Sequence, residues 1–381
     1  LSDGPRAGRD DCVTGSHGAH DMAGNMREWI ANPVEADRLT IGGGWSDPSY
    51  IYMFPERRSP FDRSPANGFR CVRYLEGGEP PPEATAALEP SGVRDYSVEQ
   101  PVGDAIYAAY SRFFDAAPVA LESRIESTGG SGDFWTKEKV SFAAGYGGER
   151  MIAWLYLPRD AKPPYQAVIQ MGGAGTFYRR TSDTEASIFG WSYGEHILRS
   201  GRAVLLPLWK GSYERSSGFE PLASPAPVFR QHVVWWVTEL RRSVDYLQSR
   251  DDIDPQRIAY QGISYGAMWA PVFLAQEPRL KTGLVIVGGM LPMELVPDPM
   301  PPEIDQLHYA PRVTAPVLML NGRYDPIFTY EKSQLPLFRT LGTADADKRH
   351  ITFPAGHSTS GWRVGLIRES LDWLDRYLGE P

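Results

Sequence analysis

Cysteine is almost missing from this chain: 381 residues hold two, Cys12 and Cys71. Two thiols cannot build a disulfide framework or a zinc site by themselves, so stapled scaffolds and zinc fingers are excluded, and two free thiols are the expectation. Long apolar runs are missing too. None reaches the roughly 20 residues that cross a bilayer, so no membrane span is expected in this chain. Leu1 to Asp11 is polar and glycine-rich and lacks the apolar centre of a secretory leader. That favours a soluble chain, cytoplasmic by default, or extracytoplasmic if it is part of a larger membrane protein. Positive charge is in deficit: 39 Lys and Arg face 47 Asp and Glu, for a formal charge of −8. Nucleic acid and anionic membrane are therefore poor partners.

What is present describes an ordinary globular protein, with 42% hydrophobic and 23% charged residues. The length suggests one large α/β domain with something smaller attached. Eleven Trp and nineteen Tyr are core material by default.

Residues 1–78 are loop-rich and carry three motifs in order: Asp21-Met22-Ala23-Gly24-Asn25-Met26-Arg27-Glu28-Trp29, Gly42-Gly43-Gly44-Trp45 and Asn67-Gly68-Phe69-Arg70-Cys71. Together they resemble the C-terminal part of the formylglycine-generating enzyme (sulfatase-modifying factor) fold. That family's oxidase chemistry needs a cysteine pair between the second and third motifs, and none stands there. Without the thiolates the oxidase function is not expected. The resemblance also implies a structural Ca²⁺ site, with Asp21 and Glu28 side chains and Gly24 and Met26 carbonyls as oxygen ligands. A turn held by ordinary hydrogen bonds is the competing reading. Residues 79–100, with Glu79-Pro80-Pro81-Pro82-Glu83, read as an extended linker.

The third segment, 101–381, opens with a helix over 101–116. Strands are expected at Val140–Tyr146 and Met151–Leu157, as a hairpin around Gly147-Gly148. Further apolar runs follow at Gln166–Met171, Ala203–Leu208, Arg257–Gly262, Gly283–Val287, Pro316–Asn321 and His350–Phe353. Helical stripes alternate with them, including Phe229, Val233, Trp236, Leu240, Val244 and Leu247. This alternation predicts an α/β fold with a mostly parallel, doubly wound sheet opened by an antiparallel hairpin. Pro271 is expected to kink or shorten the helix it falls in.

The chemistry is written around Gln261-Gly262-Ile263-Ser264-Tyr265-Gly266. Gly-x-Ser-x-Gly between an apolar run and a helix-forming run is the pattern of a nucleophile elbow. A serine needs a base, and the base needs an orienting acid. Asp325 follows the run ending at Asn321-Gly322, where an Asx-turn at Pro326 is an equal reading. His357 follows the last strand, in Pro354-Ala355-Gly356-His357. His196 and His232 fall in helical stretches, His308 in a loop before a strand, and His350 at the start of one. The order Ser264, Asp325, His357 is that of the α/β-hydrolases. Residues 137–378 resemble that superfamily, in its esterase and dienelactone-hydrolase or prolyl-oligopeptidase-like branch.

The resemblance implies a serine hydrolase of carboxylic esters, with a small-molecule ester substrate and no cofactor for catalysis. A peptidase or amidase, and a non-catalytic binding module, are the alternatives. The oxyanion hole is expected from the N–H groups of Tyr265 and Gly173, with Ala174 next. Tyr178, Trp191, Tyr213, Arg215 and Trp269 are candidate pocket walls. Leu291–Pro311 is a candidate lid.

Overall fold

A computed structural model describes residues 19–381 apart from 35–36, 46, 48–51, 53–54, 75–77, 88–93, 117, 186–187, 189–190, 222, 292–298 and 359. Cys12 lies outside the described residues; Cys71 is an exposed free thiol.

Among the described residues two sheets form. The small one contains β1 (Arg27–Val34), β2 (Asp37–Ile41), β3 (Glu56–Arg58) and β4 (Asn67–Gly68), in the order β3-β2-β1-β4. The large one contains β5 (Arg124–Ser131), β6 (Trp135–Ala143), β7 (Arg150–Pro158), β8 (Tyr165–Met171), β9 (Ala203–Pro207), β10 (Ile253–Ile263), β11 (Gly283–Ile286), β12 (Val317–Gly322) and β13 (Lys348–Phe353). Its order is β13-β12-β11-β10-β8-β9-β7-β6-β5. The six strands from β13 to β9 in that order run parallel, while β7, β6 and β5 are antiparallel. The predicted hairpin is thus present, its first strand β6 starting five residues before the expected Val140 and ending three before Tyr146, with β5 added at the edge. β5 reads Arg-Ile-Glu-Ser-Thr-Gly-Gly-Ser, too polar to signal a strand by its side chains.

Helices cover both faces. α1 (Asp104–Ser111) precedes the sheet. α3 (Ala226–Gln248) and α4 (Tyr265–Gln276) pack on one face; α2 (Trp191–Arg199) and α7 (Arg363–Leu378) pack on the other. Alternate residues of β10 divide between the two cores: Ile258 and Tyr260 face α3 and α4, while Ala259 and Ile263 face α2 and α7. A strand covered on both sides must be apolar throughout, and that is why these runs were legible. Two short helices, α5 (Gln306–Tyr309) and α6 (Leu335–Thr340), complete the set.

Two expectations need correction. α4 runs unbroken through Pro271 to Gln276 and is buried along nearly its whole length; packing on all sides holds a helix that propensity alone would end. The 291–311 segment is not a lid over its described part. Ile304, Leu307 and Tyr309 are buried in the core under α4, and the Gln306 side chain bonds the Leu291 N–H at 2.6 Å and the Met268 carbonyl. Residues 292–298 lie outside the described residues.

Candidate active site

The sheet's order of connection reverses at β8, whose neighbours are β9 on one side and β10 on the other. Such a reversal opens a crevice at the carboxyl ends of the strands. Ser264 stands there, between β10 and α4, with φ 52° and ψ −107°. Positive φ in a non-glycine residue is strained backbone, held here by its surroundings. The Ser264 N–H bonds Ile286 O at 2.8 Å, and Ser264 O accepts from Met268 N–H at 2.8 Å. Gly262 and Gly266 are needed for steric reasons: a Cβ on Gly262 would lie 2.5 Å from the Gly266 carbonyl.

The three residues singled out in the sequence meet. Ser264 Oγ lies 2.8 Å from His357 Nε2, and His357 Nδ1 lies 2.8 Å from Asp325 Oδ2. All three side chains are buried. A carboxylate only accepts, so Nδ1 carries a proton and Nε2 is left to accept from the serine hydroxyl. The other carboxylate oxygen, Asp325 Oδ1, accepts from the Ile327 and Phe328 N–H groups at 2.9 and 3.0 Å. The two readings of Asp325 are both fulfilled: one oxygen closes the turn and the other holds the imidazole. Gln334, unmarked in the sequence, braces this loop by donating to Gly322 O and Phe328 O at 2.8 and 2.7 Å. The imidazole also lies near the Phe328 ring, at 5.9 Å between centroids.

Tyr265 opens α4, so its N–H has no carbonyl one turn back to bond. Gly173 caps the short helix Ala174–Tyr178 that follows β8. The two turns are tied together, because the Gly266 N–H donates to Gly172 O at 3.2 Å. The turns that contain Tyr265 and Gly173 follow the neighbouring strands β10 and β8. Sequence spacing could not supply that tie, which joins residues 94 apart.

The pocket candidates separate. Trp269 is fully buried among Phe229, Trp236 and Tyr265 and is core, not wall. Arg215 is likewise internal: it pairs with buried Glu239 and donates to Leu208 O at 2.8 Å and Tyr146 Oη at 2.9 Å. Lone charges are not left inside a protein; this pair pins the loop after β9 rather than meeting substrate. Trp191 packs on Tyr156 and Trp135. Tyr178 is exposed at the end of the short helix Ala174–Tyr178. Tyr213, at φ 46°, lines a cavity of about 20 Å³ with Gly172, Thr176, Trp154 and Trp209. That is room for about one water, too little for an acyl chain as it stands.

Glu28 is paired with Arg70 at 2.6 Å, and the same guanidinium bonds the carbonyls of His20 and Asp21, both at 2.7 Å. Glu28, one of the expected calcium ligands, thus already has a cationic partner. Among the described residues no group of three or more His, Cys, Asp or Glu side chains is placed to hold an ion.

Comparison with known proteins follows this division. Residues 11–75 match the family model of the sulfatase-modifying factor enzyme 1-like domain. By structure, the chain is similar to solved esterases. An acetyl xylan esterase from Paenibacillus sp. R4 is similar at a TM-score of 0.56 and 15% identity, over 76% of this chain and 100% of that one. Acetyl xylan esterase 1 from Thermoanaerobacterium sp. JW/SL YS485 gives 0.52 and 15%, over 72% and 95%. The fold is that of the α/β-hydrolases. At such identities the likeness carries the fold and no substrate. By sequence, an uncharacterised protein of Mycobacterium tuberculosis is 30% identical over 154 residues, 37% of this chain and 52% of that protein. The chain thus spans about half the length of the curated relatives it matches. No described helix is long and apolar enough to cross a membrane.

Proposed function

We propose that the chain is a serine hydrolase acting on carboxylic esters of small molecules. One observation carries this reading: the unbroken hydrogen-bonded series from Ser264 Oγ through His357 to Asp325, 2.8 Å at each step, with two backbone turns beside it. Ser264 Oγ attacks the carbonyl carbon while its proton passes to His357 Nε2. The Tyr265 and Gly173 N–H groups receive the developing oxyanion. His357 then returns the proton to the leaving alkoxide, and an acyl group remains on Ser264. A water, deprotonated by the same nitrogen, releases the acid.

The test combines a fluorophosphonate probe with p-nitrophenyl esters of graded acyl length and peptide anilides. Wild type should be labelled at Ser264 and should turn over the esters, and Ser264→Ala should lose both. Faster cleavage of the anilides would make the protein a peptidase. An unlabelled Ser264 in the folded protein would leave a binding module.

A further inference from the structure

The turn that carries His357 is held from two sides. On the inner side it lies over the end of β12: a Cβ on Gly322 would stand 1.9 Å from the Gly356 carbonyl oxygen. Tyr324 N–H bonds Ala355 O at 3.0 Å, and Arg323 N–H bonds Phe353 O at 2.8 Å. On the outer side stands the small N-terminal sheet. Its edge strand β3 sets Glu56 and Arg58 against Gly356; a Cβ there would lie 3.2 Å from Glu56 Oε1 and 3.9 Å from Arg58 Nη2.

These are not loose surface groups. Glu56 is 5% exposed, is paired with Arg27 at 2.9 Å and is bonded by Arg58. Arg58 in turn reaches Asp62 at 2.9 Å and Thr40 at 3.2 Å. Two guanidiniums fix the carboxylate that faces the turn, so the outer wall is rigid. The middle residue of β3 touches the neighbouring loop: Arg57 comes within 3.9 Å of Glu331, and Glu331 pairs at 3.0 Å with Arg323, two residues before Asp325.

We propose that the formylglycine-generating-enzyme-like segment acts as a clamp on the catalytic base. Resting on the esterase reading above, the inference assigns Glu56 and Arg58 as positioning residues that hold Gly356–His357 against β12. The segment lacks the cysteine pair of its own chemistry, and this contact gives it a part in the chemistry of its neighbour. The imidazole must serve two partners at hydrogen-bond distance, and a displacement of about 1 Å is enough to cost on the order of 100-fold in rate.

The experiment is a bump and its relief in the full-length chain. Gly356 is not in the left-handed region, so Gly356→Val adds bulk against Glu56 without straining the backbone. With p-nitrophenyl acetate, kcat should fall by about tenfold or more, KM should change by less than about threefold, and thermal stability should stay near wild type. Adding Glu56→Ala should recover most of the loss. Glu56→Ala alone should lower kcat and speed hydrogen exchange in the 354–358 backbone, while Glu56→Gln, which keeps the bulk, should do less of both. Unchanged kcat and exchange in Glu56→Ala, with no rescue of Gly356→Val, overturn the clamp while leaving the esterase intact. An inactive wild type whose 354–358 exchange still depends on Glu56 would refute the esterase reading, and with it the catalytic part of the clamp.

Discussion

Gly266→Ala tests whether the elbow and the oxyanion turn work as one unit. A Cβ at this position would lie 2.3 Å from the Met171 carbonyl oxygen and 2.8 Å from its carbon. Ordinary contact begins near 3.4 Å, so the two segments must separate by about 1.1 Å. Both obstacles are backbone and neither can rotate away. The Gly266 N–H to Gly172 O bond, already 3.2 Å, would be stretched beyond bonding distance. Productive sites tolerate about 0.5 Å of error, so the Gly173 donor would no longer reach the oxyanion held beside Tyr265. Losing one such donor costs about 100- to 1,000-fold in kcat, or roughly 3 to 4 kcal/mol of transition-state stabilisation. The assay is kcat and kcat/KM on p-nitrophenyl acetate beside a thermal melt. Fluorophosphonate labelling of Ser264 should slow in parallel, since that adduct uses the same donors. A folded Gly266→Ala protein with wild-type kcat would refute the coupling of the two turns, and with it the placement of the oxyanion hole.

Asp325→Asn should leave the turn closed through the remaining carbonyl oxygen but present the wrong tautomer to Ser264, lowering kcat by about 10⁴; a loss below tenfold in steady-state hydrolysis would remove Asp325 from the relay. Burial, aided by the Arg363 charge, pushes the His196 imidazole down to about 4, against an ordinary 6.5. The folded state therefore keeps this ring neutral while the unfolded chain takes up a proton, so its contribution is intact above pH 6.5 and is lost as pH falls toward 4. The loss reaches at most about 3 kcal/mol for this ring. Burial pushes His350 down to about 4 as well. Urea midpoints at pH 7.5 and 5 should show the drop, and a flat profile would contradict the burial. Millimolar calcium or a chelator should leave Tm unchanged if the Arg70–Glu28 pair serves in place of an ion, whereas Arg70→Ala should lower it; a calcium-dependent rise in Tm would establish the metal site instead.

Much of the large domain was legible in one dimension, because its signals are local. Parallel strands covered on both faces must be apolar along their length, as β8, β10 and β12 are. A serine forced to φ 52° needs small residues at either side, which Gly262 and Gly266 supply. Asp325 and His357 were marked by the strand ends they follow. The polar edge strand β5 was invisible for the converse reason: an exposed edge imposes no apolar pattern.

The amino-acid order by itself marked the buried strands of the large sheet and the order in which serine, acid and base appear. It did so because hydrophobic period and turn chemistry act over a few residues. Tertiary structure alone decided the rest. It set the hydroxyl, imidazole and carboxylate in series with 2.8 Å at each step, buried Arg215 and Trp269, paired Arg70 with Glu28 and placed Glu56 against Gly356. Each of those is a contact between residues far apart in the chain, and close packing, not local propensity, chooses such partners.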